Sequence, residues 1–292
     1  MGNFRLTSAY SDGMKNIGFY NGRWAELEKL TVPALDRAYY FGDGIYDAAY
    51  TRNKIVFALN EHVERFFSGL KKVGIALPYT PEEVASLIKE GVEKCDNDDL
   101  FVYVQASCGT GVRNHADRNK QGNFLLMIYP KEIAPPEKTL SVLTLPDMRY
   151  DLCDVKTLNL MPNVLAAQKA EKSGCDEAVL VRNGEVTECA HSNVHILIDG
   201  VLLSPPPCFC TLGGIGRRHL LSACKGLSVP VVCRRFSPSE MENADEIIVT
   251  SAGYPCQRVL FCDGKPCGGK DEKTFLALSE EVYGELYRET TP

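Results

Sequence analysis

The stretch DVKTLNLMPNVLAAQKA, residues 154–170, carries Lys156 ahead of a mostly apolar run, with Asn159 close by and Pro162 placed to start a helix. A lysine held at the end of an extended segment and turned into a cleft loses water. That loss lowers its pKa and frees the amine to form a Schiff base with a carbonyl. The same lysine on a surface is a solvated cation, and its spacing alone favours that plainer reading. GGIGRRHLL, residues 213–221, is a glycine-rich turn opening a helix, where free backbone N–H groups can cradle a phosphate. A lone turn of this kind is more often only a turn. Arg113 and His115 form an R-x-H element in GTGVRNHADRN, and surface loops often carry this pair.

The elements that would position these groups alternate in type. KIVFAL, residues 54–59, reads as a strand, and Val63, Phe66, Phe67, Leu70 and Val73 follow at helical spacing. TPEEVASLIKEGVEKC opens on a capping box, Thr80 with Glu83, and has Pro81 at the first helical position. LFVYVQAS (100–107) and NFLLMIYP (123–130) are strand-like, separated by a polar loop. KEIAPPEK, 131–138, has the prolines and charges of an inter-domain linker. Beyond it, TLSVLTL, EAVLVR, NVHILI and DEIIVT read as strands, and 163–173, 216–226 and 271–288 as helices. NGEV (183–186) and IDGV (198–201) are hairpin turns. The pattern predicts an α/β (α+β) protein of two domains, a small one over 1–130 and a larger one over 139–292.

Composition narrows the classes. A 292-residue chain with 45% hydrophobic and 24% charged residues is an ordinary globular sequence with a substantial core. Its net charge of −6 and lack of a basic patch make nucleic acid a poor partner. No apolar run has the length of a membrane span or a signal peptide, so a cytoplasmic protein without membrane attachment is expected. The opening Met-Gly is not a myristoylation signal, because position 6 is Leu. Twelve scattered cysteines include no C-x-x-C pair, and Cys208 and Cys210 are the closest together. They are expected to be reduced thiols, mostly small core hydrophobes, with no metal site.

Several motifs in order give the chain a family resemblance. LDRAYYFGDGIYDAAY carries an F-G-D-G-x-Y element and NEHVERF an H-x-x-R element. DVKTLN, EVTECAHSNVHIL, TLGGIGRRHLL and DEIIVTSAGY follow. Together, over about residues 17–265, they resemble the fold-type IV family of pyridoxal-phosphate enzymes. That family includes D-amino-acid transaminases, branched-chain aminotransferases and aminodeoxychorismate lyases. The resemblance implies a small N-terminal α/β domain and a larger C-terminal pseudo-barrel domain. It implies pyridoxal 5′-phosphate as cofactor, with Lys156 as the residue that links to it and moves the Cα proton. Glu188 matches the carboxylate facing the pyridine nitrogen, a setting that keeps the nitrogen protonated. Arg65 matches the arginine that pairs with the phosphate, alongside the N–H groups of Ile215 and Gly216 and the hydroxyl of Ser251. Two positions depart: Gly216 stands where Thr is common, and Ala252 where a second hydroxyl is common.

Substrate choice follows the same resemblance. In D-amino-acid transaminases an R-x-H element joins the tyrosine of F-G-D-G-x-Y to hold the substrate α-carboxylate. Here those residues are Arg113, His115 and Tyr46, and such a clamp selects the enantiomer that reacts. The loop enters from the neighbouring subunit in those enzymes, so a homodimer is implied. Asp47 departs from the glutamate usual after that tyrosine. The expected activity is transfer of an amino group between a D-amino acid such as D-alanine and a 2-oxo acid, by a ping-pong mechanism. An aminodeoxychorismate-lyase-like enzyme and a branched-chain aminotransferase are the alternatives.

Overall fold

The computed structural model describes residues 16–118 and 121–292. The chain divides into two compact units, 1–132 with 289–292, and 133–288. The expected second domain ran on to 292, whereas the last four residues belong with the first unit. There the Thr290 carbonyl accepts from Asn53 Nδ2 at 3.0 Å. From Ile133 onward the expected linker is tethered within the second unit. Ala134 N–H donates to the Gly253 carbonyl (3.0 Å), and Tyr283 Oη donates to the Ala134 carbonyl (2.6 Å).

The first unit contains β1 (Ile17–Tyr20), β2 (Arg23–Glu26), α1 (Arg37–Phe41), β3 (Gly44–Arg52), β4 (Ile55–Val56), α2 (Leu59–Val73), α3 (Pro81–Glu93), β5 (Leu100–Ser107) and β6 (Asn123–Pro130). The strands form one sheet in the order β2-β1-β6-β5-β3-β4, every pair antiparallel. Alternation decides which side chains enter the core. Leu100, Val102, Val104 and Ala106 on β5 are buried, and the residues between them are half-buried. Helix α2 lays His62, Val63, Phe66 and Leu70 inward, and α3 lays Val84, Ile88 and Val92. The capping box at Thr80 and Glu83 forms in both directions (3.2 and 2.7 Å). KIVFAL pairs only through Ile55 and Val56. The Phe57 N–H still donates to the Tyr50 carbonyl of β3 (3.1 Å), but Ala58 then enters the left-handed region (φ 52°) and α2 begins, so the buried Leu59 opens a helix.

The second unit contains β7 (Thr139–Pro146), α4 (Met161–Lys172), β8 (Glu177–Arg182), β9 (Glu185–Cys189), β10 (Asn193–Ile198), β11 (Val201–Leu203), α5 (Ile215–Gly226), β12 (Val231–Val232), α6 (Pro238–Asn243), β13 (Glu246–Thr250), β14 (Gln257–Cys262), β15 (Lys265–Pro266) and α7 (Glu272–Glu289). The sheet order is β12-β11-β10-β13-β14-β7-β8-β9, with β15 paired to β14. Strand β7 is parallel to both β8 and β14. Period-two alternation divides the side chains of this sheet between two cores. Val194, Ile196, Ile247 and Val249 join Val142, Val179, Val186 and Phe236. Leu197 and Ile248 face the other way, onto Leu220 of α5 and Phe275, Leu278 and Val282 of α7. Val186 lies on the terminal strand β9 and Val194 near the other end, yet both enter one core, so the sheet curls into a half-barrel.

Candidate active site

Within the second unit, Glu188 lies near the end of β9 and is 6% exposed. Its Oε1 is ion-paired with Arg149 Nη1. Its Oε2 accepts from Asn193 Nδ2 at 2.9 Å and from the Leu212 N–H at 3.0 Å. Arg149 is held in turn by Asp147, through Nε to Oδ1 and Nη2 to Oδ2, both 2.9 Å, and donates to the Cys210 carbonyl at 2.9 Å. Burial pushes the Glu188 carboxyl up to about 7, against the pull of Arg149, the Leu212 N–H and Lys156. Burial also works against the Arg149 charge, but Asp147 and Glu188 outweigh it and hold the guanidinium above its ordinary value.

Lys156 is half-buried and close enough to Glu188 for its charge to favour the carboxylate. The extended segment expected before it is absent. Strand β7 ends at Pro146, and residues 147–160 form a turn-rich loop. Two backbone contacts shape that loop, the N–H groups of Leu152 and Cys153 both donating to the Phe209 carbonyl (3.0 and 2.8 Å). Sequence reasoning did not single out Arg149. Its only local signal is the D-x-R spacing of Asp147 and Arg149, because its link to Glu188 spans 39 residues.

Helix α5 starts at Gly214, an extended N-cap (φ −66°, ψ 144°) with no side-chain cap. The first N–H groups of the helix, those of Ile215 and Gly216 among them, therefore have the free-donor character that suits an anion. A Cβ on Gly214 would sit 2.0 Å from Asn193 Oδ1, so only glycine lets Asn193 reach Glu188 and the Leu212 carbonyl. A Cβ on Gly216 would meet Ser251 O at 3.1 Å and Ser251 N at 3.2 Å. Ile215, Gly216 and Ser251 thus come together, close enough that a side chain at 216 would need the Ser251 backbone to give way. Ser251 Oγ accepts from the Tyr254 N–H at 3.1 Å, which leaves its proton to donate elsewhere. Ala252 follows in the same bend, half-buried.

A phosphorylated pyridine aldehyde requires an amine for its carbonyl, an acid for its ring nitrogen and donors for its phosphate. Lys156, Glu188 and the start of α5 with Ser251 are these three groups within one unit. The residues fit pyridoxal phosphate.

In the first unit, His62 and Arg65 lie one turn apart on α2 and converge on Asp47 of β3. Arg65 donates from Nε to Asp47 Oδ2 (2.8 Å) and from Nη2 to Oδ1 (2.7 Å), and His62 Nδ1 is 2.8 Å from Oδ1. Burial disfavours the Asp47 charge, yet Arg65 and His62 outweigh it and hold the carboxyl well below the usual carboxylate range. The H-x-x-R motif therefore has a structural basis inside this unit, the fixing of one guanidinium by one buried acid.

Tyr46 occupies the opposite face of β3 and stacks on Tyr103 (centroids 5.4 Å, 23°). Arg113 and His115 gather elsewhere, on Phe41. The His115 ring lies 4.6 Å from the Phe41 centroid and the Arg113 guanidinium 5.0 Å. The loop beneath them is braced: Arg37 donates to the Asn114 carbonyl (2.8 Å), and Asp43 accepts from both Arg37 (2.7 Å) and Arg118 (2.8 Å). Arg113 and His115 themselves are exposed. Phe41 and Asp43, the first and third residues of F-G-D-G-x-Y, thus shape the R-x-H loop, while its tyrosine faces a different neighbour.

With this geometry in place, comparison with known proteins defines the class. The profile of the family described as Amino-transferase class IV matches residues 44–261. The chain belongs to the class IV aminotransferases, enzymes that work with pyridoxal 5′-phosphate. Among individual proteins it is similar to a D-alanine aminotransferase of Bacillus licheniformis, 34% identical over 256 residues, which cover 85% of this chain and 89% of the relative. The fold matches a branched-chain aminotransferase of Thermoproteus uzoniensis, solved with norvaline (TM-score 0.83, 23% identity, 92% and 95% of the two chains covered). It also matches the T.th. branched-chain amino acid aminotransferase complexed with N-(5′-phosphopyridoxyl)-L-glutamate (TM-score 0.82, 23% identity, 92% and 94% covered). At these identities the two structures establish the fold, which is that of the fold-type IV enzymes.

Proposed function

We propose that this chain is a D-amino-acid transaminase that moves the amino group of a donor such as D-alanine to a 2-oxo acid such as 2-oxoglutarate. The observation that carries the reading is the braced loop presenting Arg113 and His115 beside Phe41 of F-G-D-G-x-Y. The similarity to a D-alanine aminotransferase supports it. Arg113 and His115 of one subunit and Tyr46 of the other hold the substrate α-carboxylate, Arg113 bidentately and the other two as further donors. Holding the carboxylate on one side determines which enantiomer offers its Cα proton to the base.

The cofactor, when bound, supplies the aldehyde that takes the amino group and the ring that accepts the electron pair freed at Cα. Lys156 Nζ takes the proton from Cα of the donor and returns one to Cα of the product in the second half of the ping-pong cycle. General-base transfer of this kind contributes about 10²–10⁴-fold. Glu188 keeps a proton on the pyridine nitrogen, and Arg149 keeps Glu188 charged against its burial. Arg65, the N–H groups of Ile215 and Gly216, and Ser251 hold the phosphate, with Ala252 lining the same bend.

The working unit in this reading is a homodimer. Met161, Val164 and Leu165 of α4 are exposed apolar side chains in the second unit, a surface suited to a second copy. Among the described residues no helix is long and apolar enough to cross a membrane. The deciding assay compares D- with L-alanine as donor to 2-oxoglutarate. A D preference that collapses in Arg113→Ala is expected, and an L preference would sink the assignment.

A further inference from the structure

We propose that Cys208 and Cys210 form a thiol–disulfide exchange site that reacts with low-molecular-weight disulfides and closes a Cys208–Cys210 bond in the loop supporting Glu188. This goes beyond the transaminase reading and does not depend on it.

The argument starts from how the loop is built. After β11, Pro205, Pro206 and Pro207 lead into Cys208, and Cys208 and Thr211 then exchange two backbone hydrogen bonds (3.0 and 2.9 Å). The tight turn leaves Phe209 exposed and brings the two sulfurs to 3.3 Å. Arg235 Nη2 lies 3.1 Å from Cys208 Sγ and 3.0 Å from Cys210 Sγ. A guanidinium on two thiols stabilises a thiolate and repels a metal cation, so the pair suits attack on an electrophilic sulfur. Burial raises both thiols, but the Cys210 N–H and Arg235 overcome it at Cys208, which is lowered, while Cys210 stays raised. Exposure divides the roles the same way: Cys208 is half-buried and Cys210 buried. Cys208 attacks and Cys210 resolves. The thiols of Cys189 and Cys256, by contrast, are fully enclosed, and burial raises both.

The exchange balances. The Cys208 thiolate attacks one sulfur of RS–SR, forming a mixed disulfide and expelling RS⁻. Cys210 gives up its proton to that thiolate and attacks Cys208 Sγ, expelling a second RS⁻, which takes a proton from water. The protein loses two electrons and two protons, and the small disulfide is reduced to two thiols. Bond formation draws the sulfurs from 3.3 Å to about 2.05 Å. A ring closed across a single intervening residue is strained and so readily reduced again.

The loop transmits that movement to the acid. The Cys210 carbonyl accepts from Arg149, Thr211 Oγ1 donates to the Thr187 carbonyl (3.3 Å), and the Leu212 N–H donates to Glu188. Three successive residues of the loop therefore contact the Glu188 strand or its counter-charge.

The test treats reduced holoenzyme with oxidised glutathione and follows intact mass, differential alkylation and amide exchange. Loss of two hydrogens, mapped to Cys208 and Cys210 and reversed by dithiothreitol, is expected. Cys210→Ser should retain a glutathione adduct on Cys208, and Cys208→Ser should form neither adduct nor bond at this loop. Arg235→Gln should slow the reaction severalfold, because the charge that favours the Cys208 thiolate is gone. The Leu212 amide should exchange about tenfold faster in the oxidised protein, as one weakened hydrogen bond predicts. A stable glutathione adduct without ring closure in the unmodified chain would overturn the proposal, as would a Cys208→Ser protein that still loses two hydrogens here.

Discussion

Replacing Arg149 with methionine removes the guanidinium but keeps much of its buried stem, so the change isolates charge from packing. In the native protein Glu188 is raised from 4.5 to about 7. A carboxyl whose folded value lies above its unfolded one stabilises fully below the unfolded value and loses that contribution as pH rises through the folded one. At about 1.4 kcal/mol per pH unit, burial of Glu188 costs the native state about 3 kcal/mol by neutral pH. Breaking a buried pair by removing one partner costs about 3–5 kcal/mol, which moves the carboxyl up by a further ~2–4 pH units. The Glu188 share of the difference between wild type and Arg149→Met is then absent near pH 5. It opens above about pH 7 and reaches about 3–4 kcal/mol near pH 9–10. Asp147 adds a part that does not vary over this range, softened because it keeps Arg182 (3.4 Å) and the Thr187 hydroxyl (3.0 Å). Urea denaturation of cofactor-free protein across this pH range measures both parts. A destabilisation that stays constant with pH would refute the claim that Arg149 acts by keeping Glu188 charged.

Other substitutions test other joints of the site. Asp47→Asn leaves the buried Arg65 facing an amide and should cost about 3–5 kcal/mol at pH 7. Because Asp47 titrates well below the usual range, the wild-type advantage is full above about pH 4 and is lost only as pH falls through that depressed value, so the melting curves of the two proteins should still be separated at about pH 3 and should converge only in stronger acid. Gly214→Ala forces Asn193 off Glu188 and should cost about 1–3 kcal/mol of stability, read by chemical denaturation. Gly216→Thr restores the residue common in the family, yet its Cβ meets the Ser251 backbone. A loss of about 1–3 kcal/mol is expected; tighter cofactor binding at unchanged stability would show that the helix has room. Lys156→Ala should abolish the visible absorbance band of the bound cofactor while leaving the denaturation midpoint of the cofactor-free protein nearly unchanged.

The amino-acid order by itself determined what depends on near neighbours. Period-two and period-3.6 patterns fixed LFVYVQAS, NFLLMIYP, EAVLVR and NVHILI as strands and placed α2, α3 and α7 within about two residues, because burial of one face is a local constraint. The capping box at Thr80 was legible for the same reason. KIVFAL misled because an apolar run of that length can also turn into a helix start while staying buried. Motif order was enough to point to Lys156, Glu188 and the start of α5. The partners of those residues were not legible. Arg149 reaches Glu188 across 39 positions, Asn193 can do so only because Gly214 lacks a Cβ, and the Asp47–Arg65 pair depends on strand β3 facing α2. Cys208 and Cys210 read in sequence as two more reduced thiols. Only the turn that brings their sulfurs together, and the arginine delivered from 25 residues further on, gives them a chemistry. Propensity and periodicity are properties of a short window, whereas the charge state of a buried group is decided by whatever the folded chain places against it.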